Sequence, residues 1–218
     1  MALFVKVKRS MDLGKARAHV NYIAFRSRET PAEQRGAFDA HRDRADARLF
    51  AESLDDRLTR HPMATKAYKV TISLSEREFR QLGLTSWKPV VREAMANLQQ
   101  RWGKEFDWIA SEHMARGHPH VHIVIKATCR DGTGRLRQLR LDRQHLAELR
   151  QDVGRIIERD RPRAVDRSSA RFNGDTLLRG FERVLMALAA REREDEHENE
   201  RAHQRWLRSR SRDDDRGR

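Results

Sequence analysis

The sequence predicts an α+β fold: an antiparallel sheet of about five strands, helices packed on one face, a histidine site on the other, and a helical extension at the carboxyl end. Three observations carry the prediction. Tyr68-Lys69-Val70-Thr71-Ile72-Ser73-Leu74 alternates apolar and polar residues, the period of a half-buried strand. Val91, Met95, Leu98 and Trp102 recur at helical spacing. Residues 119–127 form a strand whose two faces differ sharply. Val121, Ile123, Ile125 and Ala127 make an ordinary core face, whereas His120, His122, Val124 and Lys126 share the other.

The elements follow in order. Residues 2–8 suit a strand, with Leu3, Val5 and Val7 in phase. Residues 14–27 suit a helix with Ala16, Val20 and Ile23 on one stripe. Residues 28–66 show no strand pattern and read as an insertion over one face, with a helix over about 37–57 and a break at His61-Pro62. The strand at 68–74 leads to a helix over 88–103, capped by Ser86 with Pro89 in its first turn. Phe106 to His113 reads as a strand. Asp131-Gly132-Thr133-Gly134 is a turn signal that folds Leu136–Leu141 back antiparallel. A helix over 142–159 carries Leu146, Leu149, Val153, Ile156 and Ile157. The expected organisation is a catalytic domain over 1–160, a helical extension over 161–207 and a charged, disordered tail over 208–218.

The charge is large and placed unevenly. The 218 residues hold 46 Lys and Arg against 33 Asp and Glu, a formal net charge of +13. Residues 191–218 carry 9 Arg and 9 acidic residues, so the excess belongs to the first 190. Such a surface favours a polyanionic partner. No apolar run approaches the roughly 20 residues of a spanning helix, so no membrane insertion is expected. The opening residues read as a charged strand, not a signal peptide. The single Cys129 excludes an internal disulfide framework and suits a reducing cytoplasm.

Two imidazoles side by side on a strand pack poorly but hold a divalent cation well. His113 ends the preceding strand, and an antiparallel turn brings it beside His120 and His122. Three imidazoles with open positions describe a catalytic metal site; imidazole ligands by themselves suit Zn, Ni, Co and similar ions. His118 lies in the turn as a further ligand, an outer partner or a phosphate contact. Of two tyrosines, Tyr68 alternates with Val70 and Ile72 as a core aromatic. Tyr22 shares a helix face with His19 and Arg26, at i, i+3 and i+7, where it can meet a phosphate. Arg26, Arg28, Lys69 and Lys126, on the insertion and the histidine-bearing face, are the candidate phosphate contacts.

These motifs resemble the relaxases, the mobilisation endonucleases of the histidine–hydrophobic–histidine superfamily. The resemblance covers about residues 1–160. It rests on His120-Val121-His122 after Pro119, on His113 seven residues before His120, and on the amino-terminal Ala-His-Val-Asn-Tyr-Ile-Ala-Phe-Arg segment. Residues 61–73 look most like the MobL-type branch. The resemblance implies that Tyr22 attacks DNA and that His113, His120 and His122 bind a cation, Mg or Mn. It implies a nick in one strand at a transfer origin and a 5′-phosphotyrosine. Its implied partners are single-stranded DNA and a hairpin there, relaxosome accessory proteins and a type IV secretion coupling protein. A histidine is the nucleophile in some relatives, which makes His19 the alternative. Many relatives carry an acidic residue between the first histidine and the pair; here 114–119 hold none and Glu112 precedes His113, leaving open what orients the ligands. Two other readings stay open: a rolling-circle initiator or transposase, and a basic DNA-binding accessory protein with a structural or vestigial metal site.

Overall fold

The computed structural model describes residues 2–26, 36–114 and 117–160. The chain divides into units Met1–Pro162 and Arg163–Arg218. The expected helical extension, the tail and Arg28 lie outside the described residues.

Four strands form the main sheet: β1 (Phe4–Ser10), β2 (Ala67–Ser73), β4 (Trp108–His113) and β5 (His120–Lys126), in the order β1-β2-β5-β4 and antiparallel throughout. A separate three-stranded sheet joins β3 (Lys104–Glu105), β6 (Thr128–Asp131) and β7 (Leu136–Gln138). The expected five-stranded sheet is therefore four strands plus a small second sheet. Ala127 explains the division. Its N–H donates to the Lys66 carbonyl and its carbonyl accepts from Leu139 N–H, so the chain leaves the main ladder between β5 and β6. Asp131 accepts from Thr133 and Arg135 N–H and closes the expected β6–β7 turn.

On the apolar face, Tyr68, Val70, Ile72, Val121, Ile123 and Ile125 meet α4 (Lys88–Trp102) and α5 (Arg143–Asp160) in the main core. Trp87 and Trp108 are buried in it. The Tyr68 hydroxyl donates to the Leu139 carbonyl and accepts from Leu141 N–H, tethering the entry to α5. Asp152, 1% exposed on α5, takes a two-pronged bond from Arg101 on α4 at 2.8 and 2.9 Å. Short α3 (Glu76–Gln81), which the periodicity does not suggest, follows β2 with Ser75 as its cap.

The histidine-bearing face is not bare. Ala67, Ile109 and Val124 give one end of it an apolar floor. α1 (Leu13–Asn21) and α2 (Ala47–Ser53) cover that floor with Ala16, Val20, Ala47 and Ala51, small side chains that permit close approach. The expected helix over 14–27 is α1 followed by a π-turn at Tyr22–Arg26. The expected helix over 37–57 shrinks to α2, because aspartates punctuate the segment. Asp39 accepts from His41 and Arg42 N–H, Asp46 caps α2 through Arg48 and Leu49 N–H, and Asp56 caps a 3-10 turn at Arg57–Thr59. Asp and Asn side chains compete in this way with a continuing helix. Phe38 instead pairs with Ala110 at the β4 edge.

Candidate active site

Antiparallel pairing of β4 with β5 sets His113 directly opposite His120 and Ser111 opposite His122. Strand alternation then puts His113, His120 and His122 on one face. Their ring centroids are 5.1, 5.0 and 4.9 Å apart, and each offers a nitrogen within 4.8 Å of the other two. His113 is 1% exposed and His120 5%.

Each ring is held by an oxygen at its other nitrogen. His113 Nε2 donates to the Ile23 carbonyl at 3.1 Å, and His120 Nδ1 to the His118 carbonyl at 2.8 Å. His122 Nδ1 shares a hydrogen bond of 3.2 Å with Thr71 Oγ1. A neutral imidazole that donates from one nitrogen presents its lone pair at the other, which is Nδ1 of His113 and Nε2 of His120. Two backbone carbonyls and a threonine thus do the orienting that an acidic residue does at many histidine–metal sites. Thr71 escaped the sequence reading because its partner depends on the β2–β5 register, which pairs it with His122.

Burial is the largest influence on His122 and lowers its pKa well below the ordinary value; His120, His113, His19 and Lys69 push the same way. The ring therefore stays neutral, the form that binds a metal. Three buried or half-buried imidazoles, two of them with tautomers fixed by backbone carbonyls, fit a divalent ion.

The π-turn brings the tyrosine segment against this cluster. The Ile23 carbonyl that accepts from His113 belongs to the residue after Tyr22. One turn earlier, the His19 ring stands edge-on to His122 at 6.0 Å between centroids. Burial lowers the His19 pKa well below the usual range, with Lys69, His113 and Lys8 adding to the shift. Tyr22 is half-buried and packs against the apolar cluster that includes Ala16 and Val20. Interruptions of this kind in an α-helix are frequent at functional sites. Arg26 ends the π-turn; its side chain lies outside the described residues.

The other expected residues divide. Lys69 lies on the histidine-bearing face, directly opposite Lys8, with Lys6 opposite Thr71. Lys6 and Lys8 were missed because the pairing of β1 is invisible in its own pattern. Lys126 shares the face but sits six residues from His120, about 20 Å along the strand. Its ammonium is paired with Asp56 at 3.1 Å, both largely buried, so it is a structural ion pair and not a phosphate contact. Glu112 points to the opposite face. Its carboxylate accepts from Ser86 Oγ at 2.8 Å and Trp87 N–H at 2.9 Å at the start of α4, away from the histidines. Ser86 in turn accepts from Lys88 N–H, and Trp87 takes the cap position expected of it. His118 serves the cluster through its carbonyl; among the described residues its ring is not in the metal-capable group.

Solved structures share this fold. The conjugative relaxase TrwC in complex with oriT DNA, in a metal-bound structure, matches with a TM-score of 0.50 at 13% identity, over 72% of this chain and 68% of that one. TrwC complexed with a 27-mer DNA comprising the recognition hairpin and the cleavage site matches with a TM-score of 0.49, at the same identity and coverage. No curated protein matches the sequence. Residues 16–155 match the family described as relaxase, MobA/VirD2-like, nuclease domain. That match spans well over half of the sequence and includes Tyr22 and all three clustered histidines: the chain belongs to the MobA/VirD2-like relaxases, DNA-nicking endonucleases and transesterases.

Proposed function

We propose that this relaxase nicks one DNA strand at a transfer origin through Tyr22 and later reseals it, mobilising a plasmid or integrative element from the bacterial cytoplasm. The observation that carries the reading is the bond from His113 to the Ile23 carbonyl, which ties the tyrosine segment to the three-histidine cluster.

His113, His120 and His122 would hold a divalent ion, Mg or Mn, whose charge when bound polarises the phosphorus and offsets the charge growing on the non-bridging oxygens. The Tyr22 hydroxyl attacks phosphorus in line and the bond to the 3′ oxygen breaks. The products are a 5′-phosphotyrosine and a free 3′-hydroxyl, and the proton lost by the phenol balances the one gained there. A phenol with a pKa near ~10 needs help to ionise. Positive charge held at the histidine cluster would favour the phenolate. One phosphoester replaces another, so the 3′-hydroxyl can attack back and rejoin the strand.

Lys6, Lys8, Lys69, Arg26 and Arg28 would neutralise the phosphates, while single-stranded bases and an adjacent hairpin supply sequence choice. Relaxosome accessory proteins and a secretion coupling protein are the further partners of such a role. The Tyr22 position ahead of the histidines favours a relaxase over a rolling-circle initiator, whose tyrosine usually follows them.

Incubation with an oligonucleotide bearing the transfer origin and Mn²⁺ tests the reading. Native protein gives a cleaved strand and a protein–DNA adduct that survives denaturation. Tyr22→Phe loses the adduct while keeping DNA binding, and chelation or His120→Ala abolishes cleavage. DNA binding with no adduct under any of these conditions would make the chain an accessory binding protein.

A further inference from the structure

Glu76, the first residue of α3, grips Gly117 at two points. Its Oε2 accepts from Gly117 N–H at 2.6 Å, and its own N–H donates to the Gly117 carbonyl at 3.0 Å. Gly117 stands at φ +89, a conformation that glycine adopts readily and other residues resist. The next carbonyl, that of His118, accepts from His120 Nδ1. The one after, that of Pro119, accepts from Leu74 N–H at 3.3 Å. Three successive residues between β4 and β5 are therefore engaged, two by the corner joining β2 to α3 and one by a clustered histidine.

We propose that Glu76 is a positioning residue for the metal centre. It supplies from a neighbouring element the carboxylate that residues 114–119 lack, and it acts through the Gly117–His118 backbone to fix the rotation and tautomer of His120. The proposal rests on the reading that His113, His120 and His122 hold a divalent ion. Loss of an outer partner of a metal-binding histidine weakens metal affinity by about 10- to 100-fold. Glu76 stands one link farther out, so the lower end applies.

Calorimetric titration of the full chain with Mn²⁺ alone tests it, alongside imidazole-nitrogen NMR of the metal-free protein. Glu76→Ala is expected to bind Mn²⁺ about tenfold more weakly and to lose the uniform Nδ1–H tautomer of His120. Glu76→Gln, which keeps an acceptor oxygen, restores both. Arg80→Ala removes the ion pair on the other carboxylate oxygen and leaves both unchanged. If Glu76→Ala does not fold, Glu76→Asp withdraws the carboxylate by one methylene and gives the same losses. Native affinity and tautomer in Glu76→Ala or Glu76→Asp would overturn the positioning role while leaving the metal site standing. A native protein that binds Mn²⁺ no better than His120→Ala would overturn the metal reading and this proposal together.

Discussion

His19 and His122 face each other edge-on, and both are held neutral chiefly by burial. In the unfolded chain each takes a proton near the ordinary value of 6.5. Below that pH the unfolded state binds protons that the folded state refuses, so stability falls as pH falls. Above it the contribution is complete. Urea unfolding of the metal-free protein is therefore expected to show a midpoint that declines from about pH 6.5 downward, as that linkage requires, and a flatter profile in the His19→Gln/His122→Gln variant. An unchanged profile in the variant would mean that other groups set the acid limit. At this scale the sequence was readable wherever one strand's alternation decided the matter. The same rule that unites His120 with His122 also puts Glu112 on the face opposite its neighbour His113, so its exclusion from the site was legible too. Thr71, Lys6, Lys8 and the Asp56 partner of Lys126 were not, because each depends on a register or a loop path that no local pattern encodes.

Elements with strong apolar periodicity emerged close to expectation. β2, α4, β5 and α5 sit within a few residues of where the sequence put them, because their side chains report the core directly. The segment from Ala37 to Thr59 did not, since its conformation is governed by aspartate caps, the Phe38–Ala110 pairing and packing of small alanines. Helical propensity suggests one long helix there, and tertiary packing cuts it short. Asp46 is the residue that starts α2, accepting from two backbone N–H groups at 3.0 Å. Asp46→Ala is expected to cost about 1 kcal/mol, measured as a lowered urea midpoint with an unchanged slope. Because α2 covers the apolar floor beside the histidines, the same variant should unfold without loss of metal stoichiometry in the remaining folded fraction. No change in midpoint would show that α2 is held by packing without its cap.

For the molecule as a whole, the +13 charge matters through where it lies. Lys8 and Lys69 stand directly opposite one another on the histidine-bearing face, where both would meet a bound phosphate. Single-stranded DNA affinity should fall steeply with salt. The slope of log affinity against log salt should flatten by roughly 1 to 1.5 in Lys8→Gln/Lys69→Gln, since each phosphate left without its lysine removes about 0.7 from the slope. Lys126→Gln, which breaks the pair with Asp56, should lower stability and leave that slope alone. A slope equally sensitive to Lys126 would return it to the DNA surface.

The central claim is that the Tyr22 hydroxyl becomes joined to DNA. Trypsin should release Ala18–Arg26 as one peptide containing both Tyr22 and His19. Mass spectrometry of that peptide after reaction with transfer-origin DNA and Mn²⁺ should find it carrying the 5′-phosphate of the cleaved strand, with fragment ions locating the bond at Tyr22. A nucleotide located on His19, or a cleaved strand with no nucleotide on this peptide, would contradict the account.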